Sequence, residues 1–268
     1  MVLNFIATAK KASSSSSKTT ELKELESTML VRKMDIFAGK LGMQDDLASI
    51  LNSQHLGQLD DYITDLTRRF PENDVSFLRI LTSKYDDEKV AKAFVKAQTT
   101  GHSRELAKNL QQEQFAAWLR EGKSIDNVFQ LLKLKGLKES VVNSRGLDSL
   151  KGYIAFLNNG RQNDDMFMEV MSKGFGGEFK LAAVFTNAKA AGDQLGVGTE
   201  AKAEALQTMV FQYWFRGGVN SKRSLYRKAN LEEATAEFYQ KRVVNQFGDF
   251  LANRNPTHNG VSFTTPRR

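Results

Sequence analysis

The chain reads as an all-α protein built from tandem helical-bundle repeats that form an elongated, solenoid-like rod. Three observations lead to that class. Apolar residues recur at steps of three and four over most of the 268 residues, the signature of amphipathic helices. Proline occurs only at Pro71, Pro256 and Pro266, too rarely for the turns that many strands require. Blocks of sequence return at intervals of 90 to 96 residues, which points to a repeat array.

The reference block is Ala117–Asn158, a packet of three helices. Trp118 closes the first, and Gly122 stops it where a left-handed residue costs least. Ser124 stands as an N-cap, with Asp126 in the first turn where the helix dipole favours negative charge. Val128, Phe129, Leu131, Leu132 and Leu134 supply the buried face of the second helix. Gly136 and Gly146 punctuate again. Leu147, Leu150, Tyr153 and Leu157 then share one face of the third helix, which Asn158-Asn159-Gly160 ends.

Parts of that packet have copies. Leu56, Leu59, Tyr62 and Leu66 repeat the Leu147/Leu150/Tyr153/Leu157 spacing 91 residues earlier, and Val244, Phe247 and Leu251 repeat its last three members 94 residues later. Trp214 answers to Trp118 and Gly218 to Gly122. Leu225-Tyr226 answers to Val128-Phe129 after one inserted residue. A further segment is shared: Phe77–Gln98 parallels Phe167–Lys189, with Tyr85 matching Phe175, Glu88 matching Glu178, Phe94 matching Phe185 and Ala97 matching Ala188.

A Trp helix followed by G-K-S-x-x-x-V-F-x-x-L-x-L, then a Leu-x-x-Leu-x-x-Tyr helix ending in Asn, resembles the WY module of the RXLR effectors of Phytophthora and related oomycetes. The Phe77–Gln98 and Phe167–Lys189 segments resemble the L motif of the longer LWY units. The resemblance covers roughly residues 30–255 and implies the order WY-LWY-LWY. Two departures stand out. The string R-x-L-R is absent, with Arg104-Glu105-Leu106-Ala107 closest to it, and Ser27 sits near the place where the first unit should carry its Trp.

In chain order, residues 1–21 form a flexible N-terminal segment, since Ser13–Ser17 is linker-like. The run MVLNFIATAKK lacks the features of a working signal peptide, and the resemblance implies that the secretion and translocation segment is absent from this chain. The WY unit spans 22–70, where Pro71 stops the Tyr62 helix. The first LWY unit spans 71–160, opening on the capping pair Asn73-Asp74. Its helices are expected near 75–83, 85–99 and 103–120. The second LWY unit spans 161–255, opening on Asn163-Asp164-Asp165 and turning at Gly174-Phe175-Gly176-Gly177. Residues 256–268 are a flexible tail.

Composition narrows the chemistry. Cysteine is absent, so neither disulfides nor thiolate metal sites exist. No apolar run approaches the length of a membrane span. His55, His102 and His258 fall in or beside loops of different units, which argues against a metal or triad role. The paired carboxylates, Asp164-Asp165 among them, sit at helix starts, where capping explains them better than acid–base work. The glycine corner lacks the Gly-Lys-Ser/Thr ending of a phosphate loop. No catalytic residues, cofactor or metal are expected, and the chain is not expected to be an enzyme. Trp118, Val128, Phe129, Leu150, Tyr153, Leu157, Trp214, Leu225, Tyr226, Val244, Phe247 and Leu251, with Leu59, Tyr62 and Leu66 of the first unit, are assigned to the repeat core rather than to a ligand platform. Phe77-Leu78-Arg79-Ile80 is likewise assigned to the core rather than to a docking motif.

The resemblance implies a virulence effector that the pathogen secretes and that enters the host cell, in the cytoplasm, the nucleus or both. There it would be a non-enzymatic protein-binding scaffold that suppresses or alters immunity. The partners it implies are host plant proteins, a type-2A phosphatase scaffolding subunit or an intracellular immune receptor among them. The junction near Asn158–Phe175, where two LWY units meet, is the expected partner surface, through Arg161, Asp164, Asp165, Lys173 and Phe175. The alternative is a basic helical-repeat protein that binds nucleic acid, suggested by the net charge of +7. Against it, the basic residues are interleaved with acids, and only Arg216–Lys228 and Arg267-Arg268 cluster.

Overall fold

A computed structural model describes residues 76–99 and 103–254, together with the single positions 29, 32, 47, 51, 61, 64 and 68. Among these residues the regular structure is helical, and strands are absent. Leu59, Tyr62, Leu66, the three histidines and both terminal segments lie outside the described residues. The chain divides into two compact units, 1–116 and 117–268.

In the first unit, α1 (Phe77–Lys84) and α2 (Asp87–Thr99) form the expected pair. The N-cap of α1 is Ser76, whose Oγ accepts from the Arg79 N–H at 3.2 Å. The expected capping pair Asn73-Asp74 lies outside the described residues. Phe77 and Leu78 are buried, as a core assignment requires. Helix α3 (Arg104–Arg120) follows. Its Gln111 accepts from Gln98 Nε2 at 2.9 Å, and its Gln114 donates to the Asp87 carbonyl at 3.2 Å. These two bonds tie α3 to both ends of α2.

The second unit begins at the end of α3. Gly122 adopts φ +70, so the Lys123 N–H reaches the Trp118 carbonyl at 2.9 Å and the Gly122 N–H reaches Leu119 at 3.0 Å. The same closure recurs at Gly218 (φ +86), where Val219 bonds to Trp214 and Gly218 to Phe215, both at 3.0 Å. Ser124 then caps α4 (Ile125–Leu131), and Ser221 caps α9 (Lys222–Lys228), each in a reciprocal capping box. The inserted residue of the later copy therefore lies between Gly218 and Ser221.

Helix α4 is shorter than its apolar pattern suggests. It stops at Leu131, because Lys133 turns left-handed, and a 3₁₀ segment, Leu134–Asn143, follows. Asn230 takes the same φ of 53 after α9. Helix α5 (Arg145–Leu157) is capped by Ser144, whose Oγ accepts from the Gly146 N–H at 3.1 Å. Gly146 is thus inside the first turn and buried, not a break. Helices α6 (Asp164–Phe175), α7 (Glu178–Ala191), α8 (Thr199–Arg216) and α10 (Phe238–Arg254) complete the unit, with a short 3₁₀ turn, Gly192–Leu195, before α8.

Helix α7 is the centre of this unit. Its buried residues, Leu181, Ala182, Ala183, Phe185, Thr186 and Ala188, point in nearly every direction, as in a helix surrounded by others. It packs on α6, α8, α10 and the 3₁₀ segment. The two Trp rings are buried in equivalent settings. Trp118 meets Tyr153 edge-on at 5.5 Å and 81°, and Trp214 meets Phe247 at 5.6 Å and 81°. The repeat seen in sequence is therefore a repeat in packing. Leu157 and Leu251 sit at the margin of this core, half-buried.

Candidate functional site

The junction between α5 and α6 is built by local chemistry. Asn158 caps the end of α5 and donates from Nδ2 to the Arg161 carbonyl at 3.1 Å. Asn159 and Gly160 both take positive φ, and the Gly160 N–H returns to Ala155 at 2.7 Å. Asn163 then caps α6 by accepting from the Met166 N–H at 3.0 Å, as its position before two aspartates predicts.

Helix α6 is fixed to α4 by both apolar and polar contacts. Phe175 stands edge-on to Phe129 at 5.9 Å and 78°, the geometry that aromatic quadrupoles favour. Close by, Lys173 pairs with Asp126. Lys151 of α5 lies over the Phe167 ring at 5.0 Å. Burial there pushes the Lys151 ammonium below its usual range, while Asp148 and Asp164 draw it back up.

Of the five junction residues expected to meet a partner, Arg161, Asp164, Asp165 and Lys173 are exposed. Two of these are already engaged within the chain, Asp165 with Arg216 and Lys173 with Asp126. Phe175 departs from the expectation. Only 9% exposed, it is a core residue of the junction, because its ring fills the space against Phe129.

One cluster escaped the sequence reading. Glu178 accepts from Trp214 Nε1 at 2.6 Å and pairs with Lys228 Nζ at 3.1 Å. This contact joins the start of α7 to α8 and α9, beside a cavity of about 560 Å³. The alignment of Glu88 with Glu178 was the available signal, but a repeated glutamate at a helix start reads first as dipole chemistry.

Among the described residues there is no group of three or more His, Asp or Glu side chains suited to a metal ion, and no helix is long and apolar enough to cross a membrane.

No family model matches the chain. It is 29% identical over 214 residues to an RxLR effector protein of Phytophthora infestans, covering 80% of this chain and 40% of the relative. A second RxLR effector protein of that species is 30% identical over 85% of this chain and 32% of the relative. The RxLR effector protein PSR2 of the same species is 24% identical over 76% of this chain and 26% of its own length. The chain thus spans between a quarter and two-fifths of these curated relatives. Among solved structures, the crystal structure of PcRxLR12 superposes with a TM-score of 0.64 at 19% identity, over 89% of this chain and 57% of that one, a likeness of fold. By sequence and by fold, the chain is a homologue of the RxLR effector proteins of Phytophthora.

Proposed function

We propose that this chain is the helical-repeat body of a secreted oomycete virulence effector, working inside the plant cell as a non-enzymatic protein-binding scaffold that alters host immunity. Its repeats follow the frame 22–70, 71–160 and 161–255, the first a WY unit and the others LWY units. The first partner to test is a host type-2A phosphatase scaffolding subunit, and the second is an intracellular immune receptor.

The observation that supports this reading is the fixed seating of α6 on α4 through Phe129, Phe175, Lys173 and Asp126. It seats α6 against α4, on either side of the proposed boundary at 160/161, with Arg161 and Asp164 exposed beside it. A partner that touches both repeats loses little entropy in aligning them.

The test uses the whole chain and an Arg161→Glu/Asp164→Asn variant, each offered to the purified scaffolding subunit and to plant extract. Capture by the parent chain, reduced about tenfold or more in the variant with an unchanged melting transition, is the expected result. Equal capture by both chains rejects the junction. The net charge of +7 favours a second reading, nucleic-acid binding, which predicts an affinity that falls steeply with salt.

A further inference from the structure

Helix α9 is the second copy of α4, with the same capping box before it and the same left-handed turn after it, at Asn230 in place of Lys133. Their charges are opposite. Helix α4, IDNVFQL, carries one aspartate and no cation, whereas α9, KRSLYRK, carries four cations and no acid. Position by position, Lys222 stands for Ile125, Arg223 for Asp126, Arg227 for Gln130 and Lys228 for Leu131. Helix stability does not account for the change. Arg227 and Lys228 suit a last turn, but Lys222 and Arg223 occupy the first, where the helix dipole disfavours cations.

Lys222 shows how far the exchange goes. A β-carbon on Gly248 of α10 would lie 2.1 Å from Lys222 Cε, so the lysine stem takes the space that a side chain there would need. Its Nζ ends 3.0 Å from Asn245 Oδ1. The matching residue of α5, 94 positions before Gly248, is the buried Ile154. Two isoleucines of the first copy, Ile125 and Ile154, are thus replaced by a lysine laid over a glycine.

The first copy also shows what this face of the helix does. Helix α4 packs on α5 and receives α6, with Asp126 paired to Lys173. Among the described residues α9 packs chiefly on α10, with no counterpart of α6. Arg223 and Arg227, one turn apart and both exposed, make no ion pair among those residues. That includes Glu233, whose charge acts on the neighbouring Tyr226 hydroxyl. Lys228, by contrast, is held by Glu178. Tyr226 stands in the place of Phe129 and is already only 8% exposed, so charge rather than apolar contact decides what binds.

We propose that α9 docks an acidic helix of a partner protein, in the station that α6 occupies on α4. Carboxylates one turn apart on that helix pair with Arg223 and Arg227, each guanidinium fork taking two oxygens. The reversed charge excludes the chain's own α6, because Lys173 would meet Arg223 where it now meets Asp126. A second copy seated in that way is therefore not the occupant. The proposal rests on the protein-binding reading above but uses residues other than Arg161 and Asp164.

Two labelled peptides of the α6 sequence, residues 163–176, serve as probes, each stapled to hold it helical. One is native. The other carries Lys173→Glu, which together with Glu169 places two carboxylates one turn apart. Fluorescence anisotropy follows each peptide as the full chain is added at low salt. The Lys173→Glu peptide is expected to bind about tenfold more tightly than the native one. Arg223→Glu in the chain should reverse that order, whereas Lys135→Glu, an equal charge change at another exposed site, should preserve it within about twofold. Helical signal confirms that each variant is folded. Equal binding of the two peptides, an order that Arg223→Glu leaves unchanged, or no saturable binding each overturn the proposal. A labelled single-stranded oligonucleotide runs alongside. If it binds more tightly than the acidic peptide and is lost in Arg223→Glu, the proposal is overturned in favour of nucleic acid. Failure of both peptides alongside successful junction-dependent capture overturns the α9 station and leaves the scaffold reading standing.

Discussion

A β-carbon on Gly174 would lie 2.2 Å from Cζ of Phe129, so the absence of a side chain at one residue makes room for the ring of the other. Gly174→Ala is therefore expected to destabilise the chain by about 1–2 kcal/mol, because overpacking outweighs the gain in helix propensity. Adding Phe129→Leu should recover part of the loss. Chemical denaturation of the single and double variants checks this; an unchanged midpoint for Gly174→Ala means the ring moves aside freely.

The matched Trp sites make a paired prediction. Trp118→Ala and Trp214→Ala each remove a buried ring that stands edge-on to an aromatic neighbour, and each should cost about 3–5 kcal/mol. Similar losses at both sites are expected, since the settings are equivalent. A cost under about 1 kcal/mol at both would place the rings outside the core.

Tyr153 carries a pH dependence. Its hydroxyl donates to the Lys123 carbonyl at 2.7 Å, and burial pushes its phenol above the usual 10.0. Burial, then Glu233, does the same to Tyr226. A raised folded value means the fold keeps a proton that the unfolded chain releases. The stabilisation is complete below pH 10 and is lost as pH climbs through the folded values. Tyr153→Phe should cost about 1 kcal/mol at neutral pH by leaving the carbonyl without its donor, and should flatten part of the alkaline loss. Melting temperatures measured across the alkaline range test both.

Asn143 latches the 3₁₀ segment to the start of α8. It donates to the Leu195 carbonyl at 3.1 Å and to Thr199 Oγ1 at 2.5 Å, and accepts from Lys202 Nζ at 3.2 Å. Asn143→Ala should cost about 1–3 kcal/mol, as part-buried partners lose their bonds together. Hydrogen exchange should rise first around residues 195–202. Uniform loss of protection over the unit, without that local rise, counts against a latch.

What the sequence determined by itself is the periodic part: the all-α class, the helix N-caps at Ser124 and Asn163, the closures at Gly122 and Gly218, and the buried stations of Trp118, Tyr153, Trp214 and Phe247. These follow from interactions within a few residues, or from a 3.6-residue stripe that any helix must bury. Even there, competition between neighbouring caps was not decided by pattern, which is why Ser144 starts a helix that Gly146 was expected to precede. Tertiary structure alone decided which buried face meets which. A stripe shows that Phe175 has one apolar side, but the choice between solvent and Phe129 depends on the path of α6 across α4 and on the space left by Gly174. The same holds for Glu178, whose bond to Trp214 joins residues 36 apart, and for the cavity beside them, which has no local signature because its walls come from separate helices.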